Sequence, residues 1–182
     1  MNRDTGTAGY GAIARALHWA SALCVVAAWL LGVLGDDLPR AMRPGGLFVH
    51  MSLGLAVLAL ALGRIGWRFV KPPPAPLPTT LGAWTEDVAT AAHWALYAFL
   101  IAVPIAGIML QFARGGAVPV FGLFEIASPW PRDRAFARSV KEVHELMAHV
   151  TLLVAALHAG AALFHHYVLK DATLRRMLPG RH

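Results

Sequence analysis

The sequence predicts an all-α membrane protein, a four-transmembrane-helix bundle formed as a single domain over residues 1–182, on three observations. Of its 182 residues, 57% are apolar and 14% carry a formal charge, against about 45–50% and about 25% in soluble globular domains. Mean hydropathy is +0.55. Four runs without Asp, Glu, Lys or Arg occupy residues 16–35, 44–63, 88–113 and 146–169, and each reaches the ~20 residues that cross ~30 Å of hydrocarbon. This composition excludes a disordered chain and an ordinary cytosolic enzyme. A single cysteine, Cys24, excludes an intramolecular disulfide and a thiolate metal cluster built from this chain alone.

The first run, 16–35, is longer than the apolar stretch of a secretory signal and lacks a small-residue cleavage site, so it is expected to be retained as a span. The link at 71–78, KPPPAPLP, cannot be helical, because proline removes backbone donors and fixes φ. It reads as a stiff external connection. Pro104 and Gly107 lie inside the third run and suggest a kink. The longest link, 115–142, contains VFGLFEIASPWP, aromatic and broken by proline, suited to lying along the membrane interface.

The formal charge is +6 and the isoelectric point about 10.2. The cations flank apolar runs and form no basic stripe with interleaved aromatics, so nucleic acid is not expected as a partner. With the N-terminus inside, Arg3, Arg15, Arg64, Arg68, Lys71, Lys170, Arg175, Arg176 and Arg181 fall on the cytoplasmic side. Arg40, Arg43, Arg114, Arg132, Arg134, Arg138 and Lys141 fall on the other. The cluster after the second span and the basic tail favour cytoplasmic N- and C-termini. Most of the six tryptophans lie near span ends, as an aromatic belt places them; Trp29 is deep and reads as packing.

Histidine carries the chemistry. Of nine in the chain, His18, His50, His93, His149, His158, His165 and His166 lie within the apolar runs, and His144 just precedes the fourth. One intramembrane histidine is often an interhelical hydrogen bond, but ionisable side chains in hydrocarbon are costly and mark functional sites. Paired cysteines for a structural zinc site are absent. Two imidazoles facing each other from different helices suit haem iron. His144 and His158 are 14 residues apart, so they sit within ~40° of one another on a helix and ~21 Å apart along it. Antiparallel packing pairs His18 with His158 near the inner surface and His50 with His144 near the outer. That pairing requires the fourth helix to begin earlier than its apolar run, around Arg138. On depth alone, His149 with His50 and His165 with His18 fit as well; helical phase favours His144 and His158.

The segments RALHWASA around His18, LFVHMSLG around His50, VHELMAH around His144 and LHAGAALFHHYVLKDATLRRMLPG around His158 resemble the bacterial cytochrome b561 family over nearly the whole chain. These are small four-helix dihaem proteins of the inner membrane. The resemblance implies His18 and His158 as axial ligands of an inner haem b, and His50 and His144 of an outer one. It implies superoxide oxidation with ubiquinone as electron acceptor, at the bacterial inner membrane. His93, His165 and His166 are candidate quinone or propionate contacts, with interfacial capping as their simpler role. Arg15, Arg64 and Arg68 inside, and Arg114, Arg138 and Lys141 outside, are candidate propionate partners; anchoring and solvated loops are the simpler readings. His149 reads as packing or as a hydrogen-bond donor to a ligand. Gly54 and Gly160 offer a macrocycle close approach to the backbone.

Two rival functions remain open at this stage. A cytochrome b subunit linking a hydrogenase or dehydrogenase to quinone uses the same haems but needs a protein partner. A non-redox, histidine-lined proton or ion pathway predicts a colourless protein.

Overall fold

The computed structural model describes residues 9–75, 77, 81–82 and 84–178; Arg3, Pro76, Pro78 and Arg181 of the sequence lie outside them. Four long helices run through the chain: α1 (Ala12–Leu34), α2 (Arg43–Val70), α3 (Trp84–Ala113) and α4 (Arg134–Phe164). All four are long and apolar enough to cross a membrane, so the chain is a multi-pass membrane protein in contact with lipid. Exposed apolar side chains such as Leu23, Leu62, Leu153 and Leu157 lie along their outer faces, where lipid replaces water as the solvent.

The helices extend past the charge-free runs, most of all α4, which begins at Arg134 rather than near residue 146. The physical reason is general. Absence of charge marks the hydrocarbon depth, whereas backbone hydrogen bonding continues into the interfacial layer, where Arg, Lys and Glu keep their heads in water. Asp133 caps α4 by accepting from the Phe136 amide at 3.0 Å, and Pro44 sits in the first turn of α2, where its missing N–H is no loss. α3 continues unbroken through Pro104. Inside the spans, Ser21 donates to the Leu17 carbonyl and Thr151 to the Met147 carbonyl, both at 2.7 Å. No polar hydroxyl is left facing hydrocarbon at these two positions.

Packing joins α1 to α2 and α3 to α4, with α2 against α3 closing the set. The contacts use small residues. Ala113 and Ala137 are buried with Leu110 and Val140 between α3 and α4, and Ala61 with Val57 and Leu100 between α2 and α3. Such residues let backbones approach closely, which matters where helix association gains nothing from excluding water.

The long link is not simply a loop. Val118–Val120 (β1) and Phe124–Ile126 (β2) pair antiparallel, with Val118 opposite Ile126. Phe121 and Gly122 both take left-handed backbone at the turn, φ 52° and 75°, which costs a non-glycine residue about 1–2 kcal/mol. β1 packs on α2, and Val118 is buried. Leu123, Phe124 and Ile126 stay exposed at this end of the bundle.

At the opposite end α4 runs into a π-helical turn, His165–Leu169, and Lys170 takes left-handed backbone, φ 55°. The chain then straps across the bundle. Trp19 Nε1 donates to the Met177 carbonyl and Arg15 to the Leu178 carbonyl, each at 2.8 Å. Tyr10 N donates to the Arg176 carbonyl at 3.2 Å, and Arg176 itself reaches the Ala75 carbonyl at 3.0 Å. The first described residues and residues 176–178 therefore meet at this end.

Candidate functional site: paired imidazoles between the helices

α4 carries histidines along the face it turns to α1, α2 and α3. His144 meets His50 of α2 with ring centres 6.1 Å apart and planes at 77°. His158 meets His18 of α1 at 6.3 Å and 64°. The first pair lies toward the hairpin end and the second toward the termini.

The hairpin-end pair is oriented by main-chain carbonyls. His50 Nδ1 is 2.8 Å from the Ala28 carbonyl oxygen and His144 Nδ1 3.0 Å from that of Val103. A carbonyl only accepts, so each Nδ1 carries the proton and each Nε2 keeps its lone pair. Glycines make the room: a Cβ on Gly32 would come within 3.2 Å of His50 Cε1, and one on Gly107 within 3.2 Å of His144 Cε1. Both rings line a cavity of about 580 Å³, with Gly54 and Pro104 on its wall. Trp29, which reads as packing in the sequence, lines this cavity too. Its Nε1–H is buried without a partner, 6.0 Å ring to ring from His149. His149 faces the same cavity, with its Nδ1 on the Glu145 carbonyl at 2.6 Å. Helical phase alone hid this, because the cavity is wider than a one-residue stripe of α4.

The termini-end pair is surrounded by ionisable side chains instead. Arg64 Nη2 lies 3.4 Å from His18 Nδ1, and the Arg64 and Arg68 guanidinia stand over the Tyr97 ring at 5.1 and 5.8 Å. His93 approaches His158 to 5.2 Å, ring centre to ring centre, so α3 contributes a third imidazole here. Its place at the end of an apolar run suggested a cap; its contact with His158 was not legible without the helix rotation. Among the described residues, neither Arg64 nor Arg68 forms an ion pair with a carboxylate.

Beyond this pair, His165 Nδ1 lies 2.6 Å from Asp171 Oδ2, and Thr173 N donates to Asp171 Oδ1 at 2.8 Å. Burial raises the Asp171 carboxyl, but the hydrogen bonds from His165 and Thr173 outweigh it and hold the group below its ordinary value. His166 Nδ1 is buried without a partner. Arg15 is turned to the Leu178 carbonyl. Lys141 lines the 580 Å³ cavity, whereas Arg138 lines an adjoining basic pocket. Among the described residues, no group of three or more His, Cys, Asp or Glu is placed to hold a bare metal ion.

The sequence profile of prokaryotic cytochrome b561 matches residues 9–180. A probable superoxide oxidase CybB of Yersinia pestis is 38% identical over 174 residues, covering 93% of this chain and 96% of that protein. Cytochrome b561 homolog 2 of Escherichia coli is 34% identical, covering 93% and 90%. A cytochrome b562 of Cereibacter sphaeroides is 34% identical over 95% and 97%. Four spanning helices with imidazoles set between them, and full-length similarity of this degree, have one consequence: the chain belongs to the prokaryotic cytochrome b561 family, whose members bind haem b and transfer electrons within the membrane.

Proposed function

We propose that this chain binds two haems b and works as a superoxide oxidase, taking electrons from superoxide at the hairpin end and delivering them to ubiquinone. His50 and His144 would hold one haem, and His18 and His158 the other. The observation that carries this is the separation within each pair. Ring centres 6.1 and 6.3 Å apart leave room for one metal atom between each pair, at about 2 Å per metal–nitrogen bond. The free Nε2 lone pairs of His50 and His144, and the space kept by Gly32 and Gly107, suit the same group.

When bound, haem b supplies a reversible one-electron couple. The protein supplies the rest. A haem held by two histidines would pass its electron by outer-sphere transfer. The Ala28 and Val103 carbonyls fix the His50 and His144 tautomers. Arg64, with its Nη2 3.4 Å from His18 Nδ1, would offer its guanidinium to an anion such as a haem propionate. His93, His165 and His166 offer imidazole donors to a quinone at the termini end, with Asp171 holding the His165 ring through Nδ1 at 2.6 Å. The balanced reaction oxidises two superoxide anions to two dioxygen molecules and, with two protons, reduces one ubiquinone to ubiquinol. The protein lies in the bacterial inner membrane with both termini cytoplasmic, so the hairpin end faces the periplasm.

Superoxide as donor draws on the similarity to the Yersinia pestis protein and on the cations of the hairpin end. A cationic surface raises the encounter rate of an anion, most strongly at low ionic strength. Reversing Arg134, Arg138 and Lys141 to Glu together is expected to slow the superoxide reaction about tenfold or more at low salt, with the deficit shrinking as salt rises. A rate indifferent to both charge and salt contradicts this donor.

A further inference from the structure

Next to the 580 Å³ cavity lies a second, basic pocket, which shares Arg114 and Lys141 with it. Its volume is about 340 Å³, and Arg114, Arg132, Arg134, Arg138 and Lys141 line it, with Ala113 and Ala137 as its apolar floor. The local sequence explains the cluster. Arg134, Arg138 and Lys141 are spaced i, i+4 and i+7 at the start of α4, so they share one helix face. Arg114 follows the last residue of α3, and Arg132 precedes the α4 cap.

The frame is held by the backbone. Asp133 N donates to the Ala113 carbonyl at 2.9 Å, joining the two helix ends. Gly115, at φ 75°, lies against the stem of Arg132 so closely that a Cβ there would come within 3.2 Å of Arg132 Cβ. Of the nearby carboxylates, Asp133 caps α4 and Glu145 pairs with one pocket cation, Lys141, at 3.2 Å. Among the described residues, none of the four arginines forms an ion pair with a carboxylate. The N-terminus of α4 adds its own positive end to the same place.

We propose that this pocket binds a phosphate group. Guanidinium forks match phosphate oxygens bidentately and are less strongly hydrated than ammonium groups, and four of them converge here without an acceptor. The volume corresponds to about ten waters, far more than a diatomic anion fills, and suits a phosphate or phosphodiester with its hydration. The pocket opens where α4 enters the membrane, so the group is presented either by an anionic phospholipid head or by free phosphate. Arg114 and Lys141 also line the 580 Å³ cavity, so an occupant touches side chains that face the outer imidazole pair.

Calorimetric titration of the intact protein in detergent tests this without superoxide or quinone. The probes are inorganic phosphate, short-chain phosphatidylglycerol and short-chain phosphatidylcholine. Saturable one-to-one binding of phosphate or of phosphatidylglycerol is expected, weakened at least tenfold in Arg132→Gln with Arg134→Gln, whose thermal midpoint serves as the folding control. Phosphate binding assigns the site to the free anion, and phosphatidylglycerol binding without it assigns the site to the lipid head. If the double variant fails to fold, displacement by sulfate but not by chloride at equal ionic strength carries the same information on the unaltered protein. Absence of saturable binding by either anionic probe overturns the proposal, as does equal affinity for phosphatidylcholine, undiminished binding in a folded variant, or displacement by chloride as effective as by sulfate.

Discussion

Individual glycines show how tightly the outer imidazole pair is held. Gly32 and Gly107 each leave only enough space for the edge of a histidine ring. Adding a methyl at Gly107 forces His144 to shift by a few tenths of an ångström, and a larger side chain evicts it. Gly107→Leu is therefore expected to abolish haem at the outer site while sparing the inner one, with Gly107→Ala perturbing its spectrum only slightly. Absorption spectra and haem content of the two variants check this; retention of both haems in Gly107→Leu contradicts the assigned role. The meeting of His144 with His50 and of His158 with His18 was legible because 14 residues bring His144 and His158 to one face. Gly32 and Gly107 were not, because nothing in sequence states which face of α1 or α3 meets a ring. Trp29 was misread for the same reason: depth can be counted along a chain, but the direction of a side chain requires its neighbours.

At the scale of elements, the four spans followed from charge-free runs, while the ends did not. α4 gains its early turns from the cap at Asp133 and from side chains that keep their charge in water, and those turns are what bring His144 level with His50. The strap after α4 was equally invisible, since it is made by main-chain carbonyls of residues 176–178 meeting Tyr10, Arg15 and Trp19. Asp171 anchors its start. A carboxyl held below its ordinary value in the folded protein contributes stability at pH above its unfolded value, about 3.9, and loses it as pH falls. Asp171→Asn is accordingly expected to lower the thermal midpoint at neutral pH, by the equivalent of about 1 kcal/mol for a hydrogen bond. The gap between the two proteins should close as pH drops below about 4. A gap that stays constant across that range contradicts the account of the strap.

For the whole molecule, the helix pairs α1–α2 and α3–α4 pack together, and α4 sets His144 against His50 at one end and His158 against His18 at the other. That arrangement suits the movement of electrons across a layer that charge otherwise crosses only at great cost. Whether the chain holds two haems is the claim on which the rest depends. The direct measurement is the pyridine haemochrome content per mole of purified chain, made on the unaltered protein and on His18→Ala and His50→Ala. The account predicts two haems b in the first and one in each variant. A colourless protein, a fully loaded protein with a single haem, or a variant that keeps both contradicts it.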